Sequence, residues 1–232
     1  VATQPGYGYI QASVGDIHAY CGVTVLPTIN THIDGFEQQN GSFLSYPSTV
    51  QGSYTISGEQ KHGGEKSGKL SYNFEASETN RAVYAEFTGQ GIELPQNAIR
   101  VGFWVYNNQE NSNWLRIEVK DSNNRVYRLG DMTKLDWKGW RYVEIPLNGV
   151  PMPARLTRIY LVQVNPIAEV GEIYLDDLNI ITVERDKLTT ETIVRPVENI
   201  VMHSFENDNI GFSSYPSWVP GDVEIVNEYA NS

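Results

Sequence analysis

A single cysteine, Cys21, stands in a chain of 232 residues. That excludes an internal disulfide framework and leaves no paired thiols for zinc or redox chemistry. In the alternating run AYCGVTV it reads as a small buried side chain. No apolar run approaches the ~20 residues a transmembrane helix needs, and no signal peptide is visible. The amino terminus reads as mid-domain sequence, so that says nothing about export. Helical periodicity is equally scarce, with no window sustaining it for more than about two turns. Basic residues are few, 17 against 28 acidic ones for a net charge of −11, which argues against nucleic acid, whose partners need a basic stripe. An acidic surface fits a soluble or extracellular protein. Catalytic signatures are also missing. His18, His32, His62 and His203 are scattered and none sits at an H-E-x-x-H spacing; there is no G-x-S-x-G and no P-loop. A glycosidase needs two carboxylates ~5–10 Å apart flanking one bond, and Glu118 with Glu144 on neighbouring strands would be the pair to test. Any sandwich with this many acids offers such a pair, so the chain reads as not an enzyme.

What is present is β-structure almost throughout. Hydrophobic residues make up 40% of the chain and aromatic ones 11%, enough to bury a full core. Strands are expected over 7–14, 17–25, 51–57, 68–76, 81–88, 98–106, 113–120, 124–129, 139–146, 156–164 and 172–182. Most are β-branched or aromatic with period-two alternation, separated by clusters such as Asn107-Asn108 and Ser122-Asn123-Asn124. Many short strands with turns between them mean a sandwich or barrel.

The chain also begins one sequence twice. Residues 36–56, FEQQNGSFLSYPSTVQGSYTI, align without a gap on residues 205–225, FENDNIGFSSYPSWVPGDVEI. Phe36-Glu37, Asn40, Phe43, Ser45-Tyr46-Pro47-Ser48, Val50, Gly52 and Ile56 all recur. A repeat at this separation marks a whole domain used again. Three regions follow: residues 1–26, a complete module at 31–184, and residues 185–232, a polar connector (185–198) with the truncated start of a second copy. About thirty residues after Val201 fall below the ~40 that support independent folding. Residues 200–232 are therefore expected to be disordered, to lodge against another copy, or to complete a sheet with residues 7–25.

In the first region, Gly6-Tyr7-Gly8-Tyr9-Ile10-Gln11-Ala12-Ser13-Val14-Gly15 followed by a strand ending Val23-Thr24-Val25, with a tight turn at Gly15-Asp16, resembles the last two strands of bacterial Ig-like domains. Those domains are extracellular spacers. A lone hairpin is marginal in water, so this piece should pack on something or fray. In the middle module, VGFWVY (101–106), NWLR (113–116), LDWKGWRYVE (135–144), RIYLV (158–162) and IYLDDL (173–178) look like the β-jelly-roll modules of the carbohydrate-binding type. Such modules are carried by secreted and surface-layer glycosidases of bacteria, including proteins similar to phosphodiester glycosidases. The resemblance covers roughly residues 31–184. It implies an all-β fold, an antiparallel β-sandwich (jelly roll) with flanking partial β modules, and an extracellular or cell-surface location. It also implies a structural calcium held by Glu37, the loop His62-Gly63-Gly64-Glu65-Lys66-Ser67-Gly68 and Asp177. Calcium takes six to eight oxygens, which two carboxylates and loop carbonyls would help supply. Glu37 capping a turn or pairing with Lys69 is the competing explanation of its recurrence as Glu206.

Alternation assigns the faces. Val101, Phe103 and Val105 form one core set, and Leu115, Ile117 and Val119 another, which turns Trp104, Tyr106, Trp114, Arg116 and Glu118 outward. Gln163 adds an amide if Ile159 and Leu161 lie in register with the rest; Tyr160, Val162 and Val164 make an equally good apolar set. Sugars suit such a face, stacking C–H surfaces on aromatic rings and bonding hydroxyls to charged and amide groups. The expected partners are a polysaccharide or cell-wall glycan and neighbouring modules of the same polypeptide. The competing outcome is a structural spacer or surface-layer interaction module, with the aromatic rows serving as packing. Trp137 and Trp140 are expected to be structural, closing one end of the sandwich.

Overall fold

The computed structural model describes residues 5–15, 17–75, 79–130, 133–164 and 167–184. The connector, the second copy of the repeat and the expectations for residues 200–232 lie outside the described residues, as does Asp16 of the first turn. The chain divides into two units, Val1–Thr190 and Glu191–Ser232, and every described residue belongs to the first.

The described residues form strands and no helix: β1 (Gly6–Val14), β2 (Ile17–Val25), β3 (Thr28–Asp34), β4 (Gly41–Tyr46), β5 (Gln51–Ser57), β6 (Ser67–Phe74), β7 (Arg81–Phe87), β8 (Ile92–Leu94), β9 (Ala98–Asn107), β10 (Trp114–Asp121), β11 (Val126–Leu129), β12 (Gly139–Pro146), β13 (Ala154–Gln163) and β14 (Glu169–Val183). Three of these, β3, β4 and β8, were not expected from alternation. β3 and β4 are mostly polar or exposed, and β8 is three residues long, so none carries a clear two-sided pattern. All pairing is antiparallel: β1 and β2 form a two-stranded sheet of their own, and β3–β14 form two six-stranded sheets. One runs β11-β10-β13-β7-β4 with β8 against β13; the other runs β12-β9-β14-β6-β5 with β3 against β14. Sequence neighbours β9 and β10 therefore belong to different sheets.

The core lies between the sheets, and here the alternation holds. Val101, Phe103, Val105, Leu115, Ile117, Val119, Ile159 and Leu161 are all fully buried, each worth roughly 1.5–3 kcal/mol of apolar burial. The fold is thus an antiparallel β-sandwich. Of the two tryptophans expected to close one end, Trp137 packs against the core, whereas Trp140 stands beside Tyr106 on an outer face.

The first copy of the repeat shows what its recurring residues do. Phe36 is completely buried. The Asn40 side chain donates to Asp34 at 2.7 Å and accepts from the Tyr54 hydroxyl at 2.7 Å, fixing the entry to β4. Val50 N–H donates to Pro47 C=O at 3.0 Å and closes the turn between β4 and β5. Gly52 must lack a side chain, because a Cβ there would collide with the Ser71 carbonyl and lie 2.7 Å from the Phe43 ring.

The β1–β2 hairpin pairs in the expected two-residue register, Val14 opposite Ile17. Its side chains are nearly all exposed, including Tyr9, Ile10, Val14 and Ile17. Cys21 is accordingly exposed. The expectation of a buried thiol is corrected: alternation implies burial only where a second layer covers one face, and among the described residues none does.

Candidate functional site

The expected ligand residues divide between opposite sides of the sandwich. Trp104 and Tyr106 project from β9 on the outer face of one sheet; Trp114, Arg116 and Glu118 project from β10 on the outer face of the other. One platform joining them is ruled out, because the fully buried Val101–Val105 and Leu115–Val119 sets lie back to back between them. The same topology separates Glu118 on β10 from Glu144 on β12, so the two cannot flank one glycosidic bond. Gln163 belongs to neither face. It shares parity with Ile159 and Leu161, is 1% exposed, and points inward, where it accepts from Arg81 and donates to Glu169 at 3.1 Å.

The β10-side face is built in rows set by strand register. Glu118 is opposite Arg158, and Arg158 opposite Glu86. Arg158 reaches Glu86 Oε1 through Nε and Nη2 at 2.9 and 2.6 Å, and Glu118 Oε1 through Nη1 at 3.2 Å. Glu118 also has Arg128 Nε at 3.6 Å and accepts from the Thr157 hydroxyl at 3.3 Å, which sits at a register shift beside it. One row along, Arg116, Tyr160, Tyr84 and Leu44 align. The rings of Tyr84 and Tyr160 stack at 5.0 Å and 28°. Arg116 lies over Tyr160 at 5.9 Å and Arg158 over Tyr84 at 5.4 Å, near enough for cation–π attraction. The third row is Trp114, Val162, Ala82 and Tyr46, with Tyr46 well exposed. At the other end a groove of about 1000 Å³ lies along Glu86, Glu93, Lys120, Asp121, Arg155 and Thr157. Burial pushes the Tyr160 phenol up to about 12, and its hydroxyl has no hydrogen-bond partner among the described residues. A buried hydroxyl without a partner is costly unless something supplies one.

Tyr84 and Tyr160 were not among the expected site residues, though a signal existed. Arg158 shares parity with Tyr160 and Val162, and Glu86 with Tyr84. A charge in the middle of a strand marks the face that leaves the core, which would have resolved the β13 register.

The β9-side face is aromatic but covered in part. Trp104 tilts against Tyr142 at 5.5 Å, Tyr106 meets Trp140 and Tyr174 edge-on at 5.5 and 5.9 Å, and His62 joins the two groups through Trp104 and Trp140. The His62 ring lies on the Trp104 indole at 3.8 Å and 15°. Beside it, Lys69 pairs with Glu59 at 2.6 Å and Glu172 at 3.0 Å, while the Tyr174 hydroxyl donates to both carboxylates at 2.7 and 2.9 Å.

The loop carrying His62 also meets the two expected metal carboxylates. Added Cβ atoms at the neighbouring glycines would collide with Asp177 at Gly63 and with Glu37 at Gly64, so one peptide separates the two acids. Their oxygens are met by N–H donors: Glu65 and Lys66 N–H on Glu37 at 2.8 and 3.3 Å, and His62 Nδ1 on Asp177 at 2.7 Å. Asp176, fully buried, accepts from His62 and Gly63 N–H at 2.7 and 3.1 Å, and its burial raises its pKa above the usual carboxylate range. Calcium needs converging oxygens. As arranged, this corner directs donors at its carboxylates, and among the described residues no three His, Cys, Asp or Glu side chains gather as a metal site.

The architecture places the chain in the class of antiparallel β-sandwich modules. Solved structures similar to it include the family 11 carbohydrate-binding module from Clostridium thermocellum in complex with a beta-1,3-1,4-mixed-linked tetrasaccharide (15% identity, 66% of this chain and 96% of that one, TM-score 0.44). A family 30 carbohydrate-binding module aligns with 12% identity over 71% of this chain and 93% of its own, TM-score 0.49. The beta-1,2-glucanase from Parabacteroides distasonis aligns with 15% identity over 65% of this chain but only 24% of its own, TM-score 0.45. Likeness of this degree concerns the sandwich and not its ligand. No protein-family model and no curated protein matches the sequence.

Proposed function

We propose that residues 31–184 form a non-catalytic glycan-binding module of an extracellular bacterial protein, and that its ligand lies on the outer face formed by β10, β13, β7 and β4. The observation that carries this reading is the row structure of that face, an aromatic row of Tyr84 and Tyr160 beside an ionic row of Glu118, Arg158 and Glu86. Half-buried Tyr84 and Trp114 and exposed Tyr46 offer rings to sugar C–H surfaces, while the guanidinium and carboxylate groups fix hydroxyls by charge-assisted hydrogen bonds. Modules similar in fold, carried by bacterial glycosidases, are the source of the extracellular and non-catalytic parts of the proposal. Calcium at Glu37 and Asp177 belongs to it as a further part. Binding there would compete with the N–H donors those acids now accept from, and a melting temperature equal in calcium and in chelator would remove it.

The test is calorimetric titration with soluble plant and cell-wall polysaccharides. Tyr84→Ala and Trp114→Ala are expected to weaken binding about five- to twelvefold, taking a stacking contact as ~1–1.5 kcal/mol. Trp104→Ala, on the opposite face, should leave affinity unchanged. If no polysaccharide binds, the module is a spacer or assembly unit and the tyrosine row is packing. If only Trp104→Ala weakens binding, the ligand face is the other sheet.

A further inference from the structure

Arg81 is a buried cation with no matching anion among the described residues. It opens β7, is 3% exposed, and lies over the Phe74 ring at 5.3 Å. Its Nη2 donates to the Gln163 side-chain oxygen and to the Ile167 carbonyl, the latter at 2.9 Å. Its Nε and Nη1 are buried with no hydrogen-bond partner among the described residues. Among the described residues no carboxylate forms an ion pair with it; Glu169 joins the cluster only through the Gln163 amide at 3.1 Å. Burying a guanidinium is costly unless a charge compensates it.

Arg81 also lines a cavity of about 200 Å³ with Pro47, Thr49, Val50, Gln51, Asn73 and Glu75. The cavity adjoins the proposed glycan face. Pro47 follows Tyr46, Ala82 follows Arg81, and Tyr46 and Ala82 are register partners in the row that ends at Trp114.

We propose that this cavity is a carboxylate site, in which Arg81 receives the C6 carboxylate of a uronic acid residue in a glycan running off the Tyr46 end of the face. This deepens the reading given above and rests on it for the source of the carboxylate. Neutral polymers would bind through the tyrosine rows alone. A uronate at the cavity adds the charge that Arg81 lacks, and the site discriminates acidic from neutral sugars at that position. Exposed Glu75 at the lining opposes an anion and limits the affinity.

The experiment measures binding of sodium glucuronate, glucose and sodium acetate to the whole chain by calorimetry at matched ionic strength. It is repeated for Arg81→Gln, for Glu75→Gln, and for Thr49→Trp, an exposed substitution that fills the mouth without touching the core. Glucuronate is expected to bind at least tenfold more tightly than acetate, and glucose not detectably. Glu75→Gln should tighten glucuronate severalfold, and Arg81→Gln and Thr49→Trp should abolish it. Thr49→Trp covers the case in which Arg81→Gln does not fold. Equal binding of acetate and glucuronate would overturn the sugar assignment, and no glucuronate binding, or binding untouched by Thr49→Trp, would overturn the site. The parent chain separates the two readings: glucuronate binding while every polysaccharide is silent would reject the glycan face and leave the Arg81 cavity standing, whereas Tyr84→Ala should weaken polysaccharides and leave glucuronate unchanged.

Discussion

The His62 ring lies nearly parallel on the Trp104 indole, 3.8 Å between centroids. One loop side chain thereby converts the outward strand β9 into a half-covered surface, and the same imidazole bonds Asp177 at 2.7 Å. His62→Ala removes both contacts. Stability should fall by about 2 kcal/mol, the low end of the sum for one ring contact and one hydrogen bond to a charged group, since the His62 and Asp177 side chains are both partly exposed. Tryptophan emission should shift as Trp104 becomes wetter. A urea melt with an unchanged midpoint and unchanged emission would show that the loop does not rest on the indole.

Glycines 52 and 8 make a matched pair. A Cβ at Gly52 meets the Ser71 carbonyl and the Phe43 ring, whereas one at Gly8 meets nothing within 4 Å. Gly52→Ala is expected to cost about 2–3 kcal/mol through overpacking, and Gly8→Ala less than about 0.5 kcal/mol. Equal effects in thermal melts would mean that the β4–β5 corner relaxes freely.

Glu118 is the ionic centre of the proposed ligand face, with its side chain 3% exposed between Arg158 and Arg128. Replacing it by Ala leaves Arg158 paired with Glu86 alone and Arg128, largely exposed, to solvent. The expected loss is about 1–2 kcal/mol, on the scale of one hydrogen-bonded charged group, and Glu118→Gln should lose less because the Thr157 hydrogen bond survives. If Glu118→Ala melts like the parent chain, the row is solvated and contributes little.

Alkaline pH should destabilise the sandwich. Burial raises the phenol of Tyr160 to about 12 and pushes those of Tyr54 and Tyr72 higher. In the unfolded chain a tyrosine ionises near its ordinary value of about 10. Between these limits the unfolded state releases protons that the folded state keeps, so stability is present below pH ~10 and lost as pH rises through the window. Tyrosinate absorbance should therefore titrate in two stages, the later one cooperative with unfolding. A single transition near pH 10 with the fold intact would contradict the burial argument.

The hairpin should be dispensable. β1 and β2 pair with each other along their whole length and leave most side chains exposed. A chain beginning at Pro27 is expected to melt within a degree or two of the full one. In the full chain, Cys21 should react with a thiol reagent at full stoichiometry without denaturant, as its exposure requires. A protected thiol, or a large drop in melting temperature on truncation, would show that something covers the hairpin.

The sequence alone determined what depends on local periodicity. Strands with one apolar set, such as β9 and β10, could be read for both extent and inward face, because side-chain direction reverses at every residue whatever the strand pairs with. The recurrence of Phe36, Asn40 and Gly52 likewise marked residues with steric or hydrogen-bonding tasks at one corner. Tertiary structure decided what depends on partners distant in sequence. Adjacent strands β9 and β10 entered opposite sheets, so Trp104 and Trp114 were placed on opposite sides although each was correctly turned outward. The register shift beside Glu118 and the pairing of β13 with β7 stacked Tyr160 on Tyr84 and sent Gln163 inward to Arg81. Alternation says which way a side chain faces within its own strand; only strand pairing and the second sheet decide what it faces.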